Sequence, residues 1–319
     1  MKAPLYRQAL ADGWQLAKSH HSLWLFGLFA VFLGQMGLLE LLTRVTVAAG
    51  NRSVFPLWLS GEINLSLAGY SLPLVSWSWF IWLLFTVIGF SLLFIFVSVV
   101  SQGALIQASA RWAENKSLPL AGQAWQTGIK HFWRLFFLNV FKKIVICLLG
   151  LIVAAATVNA LINFTGASFS LFVVLFLLCV LVGMVVSFLT IYAAGYVVVE
   201  EYGLGHALFA AWQLFIRHWL VSIEVGLIIL ALNVVVSLVV MAGFFICYLP
   251  TVISWFIAVV TINPALWQAG MIVGSILFML FVFFVGSVFT VFVVSVWTDL
   301  FMKMHRHGII SRLVHWCKR

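Results

Sequence analysis

Charge is what this chain has least of: only 8% of its 319 residues are Asp, Glu, Lys or Arg. A soluble domain could not cover its surface with so few charges, whereas helices facing lipid need none. Enzyme signatures are missing too, with no G-x-S-x-G, H-E-x-x-H, Walker loop or Rossmann fingerprint anywhere in the chain. The longest hydrophilic segments, 43–76 and 107–143, are too short for a catalytic domain. No enzyme, no catalytic residue and no cofactor is expected. Of the four cysteines, Cys147, Cys179 and Cys247 lie in apolar runs and Cys317 in the C-terminal tail, without C-x-x-C spacing, which excludes a disulfide framework and a zinc site. The eight histidines show no metal-ligand spacing.

What the chain has instead is apolar length. Runs of about 20 residues suffice to cross about 30 Å of hydrocarbon as a helix. Six are read here: Leu23 to Leu42, Trp77 to Ile106, Ile144 to Ile162, Phe169 to Val199, Leu220 to Tyr248 and Met271 to Leu300. The runs are continuously apolar rather than alternating, which favours helices over barrel strands. Pro250 to Pro264 is too short and too Pro-bounded to span, and is expected to form an interfacial or re-entrant turn. The expected class is an all-α integral membrane protein with six transmembrane helices.

With six spans, only Arg44 and Arg52 of the 17 Lys and Arg fall on one side, so the positive-inside rule makes both termini cytoplasmic. The first apolar run is about as long as a full span and follows a long polar region, so it is read as a retained span rather than a cleaved signal. The formal charge of +9 is spread through short juxtamembrane segments. Topology and attraction to anionic lipid headgroups account for it, and no nucleic-acid partner is expected.

The basic segments also echo one another. "GWQLAKSHHSLW", "AWQTGIKHFW" and "AWQLFIRHW" each carry Trp-Gln, then a basic residue, then histidine and a further Trp. The membrane-interface residues they supply are Trp14, Lys18 and Trp24, then Trp125, Lys130 and Trp133, then Trp212, Arg217 and Trp219. On helices these copies show an apolar stripe, as at Ala121, Trp125, Ile129, Phe132 and Phe136, opposite polar residues. Such a helix would lie in the headgroup region with its aromatic stripe dipping in and its cation reaching anionic lipid. Each copy precedes a pair of spans. A single membrane domain is therefore expected over 1–319, built of three units at approximately 1–108, 109–200 and 201–304. Each unit would be one interfacial amphipathic helix plus two spans, followed by a basic amphipathic cytoplasmic tail over 305–319. Among the ionisable residues near spans, Glu224 lies deepest and is the candidate intramembrane functional residue. Asn139 and Asn233 are read as hydrogen-bonding glue between helices.

"GWQLAKSHHSLWLFGLFA" and "YVVVEEYGLGHALFAAWQLFIRHW", with the repeated helix and span pair, resemble a group of bacterial six-span proteins similar to the membrane domain found beside glycerophosphoryl diester phosphodiesterases. The resemblance implies the bacterial cell inner membrane and a role near lipids or envelope assembly. These residues include no phosphodiesterase domain, so its hydrolase activity is not expected to carry over. Two functions stay open. One is a non-catalytic protein organising membrane lipids or a membrane-protein partner. The other is a transporter or channel for a small or lipidic solute, disfavoured because polar residues at mid-membrane are few.

Overall fold

The computed structural model describes residues 5–31, 66–67, 70–71, 77–115, 117–163 and 165–307. The elements are α1 (Leu5–Ser19), α2 (Ser22–Val31), the two-residue antiparallel pair β1 (Ser66–Leu67) and β2 (Tyr70–Ser71), then α3 (Trp77–Asn115), α4 (Ala121–Lys130), α5 (Phe132–Ile162), α6 (Gly166–Val199), α7 (Leu204–Cys247), α8 (Leu249–Thr261) and α9 (Pro264–His307). Continuous apolar sequence with few helix breakers favours these long helices, which satisfy every backbone group internally in lipid.

Five helical stretches are long and apolar enough to cross a membrane: Leu84–Asn115, Phe132–Ile162, Gly166–Val199, Leu204–Thr261 and Ala265–His305. They contain the third to sixth expected spans and overlap the second from Leu84 to Ile106. Of the first, Leu23 to Leu42, the described part is helical as far as Val31, and the rest lies outside the described residues. So does the tail beyond His307. The class is a multi-pass α-helical membrane protein. Within the most apolar 18-residue windows of α5 and α6 only 6% of residues are buried, and large side chains such as Phe169, Leu178 and Leu151 face outward. Exposed apolar area on this scale is covered by lipid.

Pro250 to Thr261, most of the segment expected as a turn, is helical. Pro250 sits in the first turn of α8, where its fixed φ and missing N–H cost nothing. The helix ends at Ile262, which takes left-handed φ 53, and Thr251 Oγ1 donates to the Gly270 carbonyl of α9 at 2.8 Å. Similarly, α3 runs unbroken to Asn115, past the expected unit boundary at 108.

The packed core lies toward one end of the long helices. Val99, Leu105 and Ala108 of α3, Tyr192, Ala193 and Val197 of α6, and Val291, Val296 and Leu300 of α9 are all buried. A small cavity of about 20 Å³ between these three helices is lined by Gln102, Ala194, Gly195, Trp297, Thr298 and Phe301, room for about one water.

The helical segments that carry the three sequence copies close around this core. Contacts join α4 to α3, α7 to α6, and α1 to α9. Glycine permits the closest approaches: a Cβ on Gly128 would run into the Val100 backbone of α3, and one on Gly13 would meet Val296 of α9 at 2.7 Å. In lipid, where apolar surface gives little drive to associate, such small-residue contacts carry helix packing.

Gly128→Ala is therefore expected to lower stability by roughly 1–3 kcal/mol through overpacking. Gly122→Ala, whose Cβ meets nothing within 4 Å, should be neutral or stabilising by roughly 0.5–1 kcal/mol. Thermal unfolding in nanodiscs checks this, and equal effects of the two substitutions would contradict the close crossing of α4 and α3.

Candidate membrane-interface site

Each of the three sequence copies folds as helix up to a histidine and breaks there. His20 and His21 are the non-helical residues between α1 and α2, His20 being the first. His131 separates α4 from α5 with φ −103 and ψ 9, and His218 breaks α7 with φ −127 and ψ 26. His20, His131 and His218 are each the sixth residue after the Trp of their copy, counted from Trp14, Trp125 and Trp212.

The break at His218 is held by polar contacts. Ser222 Oγ donates to the His218 carbonyl at 3.0 Å, so the Tyr192 hydroxyl of α6, 2.7 Å from Ser222 Oγ, is the donor of that pair. At the middle break, His131 is buried and its Nδ1 lies 3.0 Å from the Thr127 carbonyl. A carbonyl only accepts, so Nδ1 carries the proton and Nε2 is the unprotonated nitrogen. Nε2 is enclosed without a hydrogen-bond partner. Burial pushes the His131 pKa below the ordinary imidazole value.

The faces that dock the short helices differ from the expected aromatic stripe. Buried in α1 are Ala9, Gly13, Leu16 and Ala17, in α4 Ala124 and Gly128, and in the start of α7 Ala207, Ala211 and Leu214. The residue just before the Trp is thus small and buried in every copy: Gly13, Ala124, Ala211. The next residue, the Trp, is more exposed than the small residue before it in every copy. Trp14 is 56% exposed and touches Phe292 edge-on, Trp212 is 45% exposed, and Trp125 is half-buried and stacked on Phe26 at 6.1 Å. Ala121 and Ile129, assigned to the stripe, are exposed. The reason is steric, because a helix can approach closely through Gly and Ala but not through Trp.

The other expected interface residues separate into two groups. Trp133, Trp219, Lys18 and Arg217 are exposed. Trp24 and Lys130 are tied into the fold: Trp24 Nε1 donates to the Ala17 carbonyl at 2.8 Å across the first break, and Lys130 pairs with Glu201 at 2.6 Å. Arg134 Nη1 donates to the Glu201 carbonyl at 3.0 Å. Together these bonds hold Glu201 in its left-handed conformation, φ 56. The Lys130 hydrogen bond holds the Glu201 carboxyl below the usual carboxylate range.

The same end carries further pairing. Lys303 lies 2.7 Å from Asp299 and 3.6 Å from Asp12, linking α9 to α1, and His305 lies 3.5 Å from Glu200. Asn139 Nδ2 of α5 donates to Gln102 Oε1 of α3 at 2.7 Å, the cross-helix bond expected of it. Asn233 instead bonds within its own helix, to the Ile229 carbonyl. Glu224 is half-buried, and its Oε2 is enclosed with no hydrogen-bond partner. No ion pair joins it to Arg217 among the described residues. Among the described residues no three His, Cys, Asp or Glu gather as metal ligands would.

Two features of the sequence mark this arrangement. One is small residues at intervals of four, Ala9, Gly13 and Ala17, or Ala124 and Gly128, which mark docking faces. The other is the constant interval from Trp to the breaking His. The fold and this site define a multi-pass helical membrane protein with one polar, paired end. No known protein family, curated protein or solved structure matches the chain.

Because the folded pKa of His131 is depressed, its stabilising contribution is present above the unfolded value of about 6.5 and is lost as pH falls through the folded pKa. Thermal stability should therefore drop on acidification below about pH 6.5, and His131→Gln should flatten that slope. An unchanged slope in the variant would show that His131 is not the group responsible.

Proposed function

We propose that this chain is a non-catalytic bacterial inner-membrane protein, with both termini cytoplasmic, that organises lipid or a membrane partner at its basic end. The observation that carries this reading is that a small buried docking residue precedes the Trp in every copy, with Trp14 and Trp212 exposed beside it. Exposed Trp14 and Trp212, in the copies that carry exposed Lys18 and Arg217, suit headgroup level, where an aromatic ring meets both hydrocarbon and polar groups.

The shared docking residue and breaking His support three units, about 1–108, 109–200 and 201–304, each an interfacial helix followed by two spans, six in all. On that reading the contact of α1 with α9 closes the three units into a ring. The resemblance to the group similar to the membrane domain beside glycerophosphoryl diester phosphodiesterases would fit the same pattern.

A second reading, a transporter or channel for a small or lipidic solute, draws on the enclosed, unpartnered Glu224 Oε2. It ranks below the first because the cavity between α3, α6 and α9, about 20 Å³, holds a water rather than a solute.

In cells, Trp14→Ala combined with Trp212→Ala should disturb localisation or partner assembly while Glu224→Gln leaves both intact. Wild-type behaviour of the tryptophan variant, together with solute flux into reconstituted vesicles that Glu224→Gln removes, would replace this reading with the transporter one.

A further inference from the structure

Between α3 and α4 lies an open cavity of about 390 Å³, unlike the rest of this apolar chain in being lined by Gln107, Arg111, Gln123, Gln126, Thr127 and Lys130. It is large enough for a small ligand. Arg111 is exposed and makes no ion pair among the described residues. Lys130 spends one N–H on Glu201 at 2.6 Å, which leaves two of its three donors. Two cations and no carboxylate line the cavity, which suits an anion.

The cavity also offers acceptors. Gln107 Oε1 is enclosed and has no hydrogen-bond partner, and a turn of its amide would present that oxygen to an occupant. The Thr127 hydroxyl donates to the Gln123 carbonyl at 3.1 Å, so its lone pairs remain free to accept. A bare anion would satisfy Arg111 and Lys130 and leave these acceptors unmet. An occupant carrying both a phosphate and a hydrogen-bond donor satisfies both sets.

Building on the lipid-organising reading, we propose that this cavity binds a phosphate-bearing headgroup that ends in an ammonium or hydroxyl donor, as phosphoethanolamine and phosphoglycerol do. Arg111 holds the phosphate, Lys130 assists it, and Gln107 accepts from the terminal group. Phosphocholine, whose quaternary nitrogen has no N–H, meets the first requirement and fails the second.

The test uses the full chain in nanodiscs made with equal phosphatidylethanolamine, phosphatidylglycerol and phosphatidylcholine, with retained lipid identified by native mass spectrometry. The site predicts retention of the first two over phosphatidylcholine by roughly tenfold, the scale of a charge-assisted hydrogen bond. Arg111→Gln should reduce total retention, and Gln107→Leu should remove the preference while phosphate-dependent retention persists. Arg111 is exposed, so its variant is expected to fold, and circular dichroism verifies this. Soluble phosphoethanolamine that displaces the lipid would support the same chemistry with a free phosphorylated solute as its source, and failure to displace would assign the lipid. Equal retention of all three lipids, or a preference surviving in both variants, overturns the site while leaving the lipid-organising reading standing. A chain that retains no lipid at all overturns both.

Discussion

Helices in a bilayer gain little by burying apolar surface against one another, since lipid is as apolar as they are. What holds this chain together is close approach at small residues. Gly27 of α2 sits so near the Ser287 backbone of α9 that a Cβ would collide with it, and Ser287 donates to the Trp24 carbonyl at the same crossing. The long helices are packed where such contacts occur and elsewhere face outward, as Phe169 and Leu178 of α6 do while Tyr192 and Ala193 of the same helix are buried.

This packing also sets the polar chemistry. Bringing α4 close to α3 buries His131 and leaves its Nε2 without a partner. It also places Lys130 and Arg134 where they hold the turn between α6 and α7 through Glu201. One of the cations expected to reach for anionic lipid thus has a structural duty, since Lys130 steadies the α6 to α7 turn, and Lys303 likewise ties α9 to α1. Lys18 and Arg217 are exposed and remain free for headgroups.

The long helices were legible because a run such as Phe169 to Val199 has only one way to satisfy its backbone in hydrocarbon. The three polar helices were legible as amphipathic segments, yet their contact faces were misjudged. Hydrophobic periodicity picks out Trp125 and Ile129, whereas contact in lipid selects Ala124 and Gly128 for their small size. The helix α8 was missed because its two bounding prolines read as breakers, although Pro250 falls where a helix accepts one. Pairings such as Lys130 with Glu201, or Asn139 with Gln102, join residues far apart in the chain, and no local pattern encodes them.

The central claim is that the small-residue contacts hold Trp14 and Trp212 at the level of the lipid headgroups. The direct measurement is spin-label accessibility in bilayers, with a nitroxide on Trp14→Cys or Trp212→Cys after replacement of the four native cysteines. Both labels should show comparable access to oxygen and to a water-soluble paramagnetic reagent, as groups at the boundary do. A label reached only by the aqueous reagent, or only by oxygen deep in the hydrocarbon, would contradict the account.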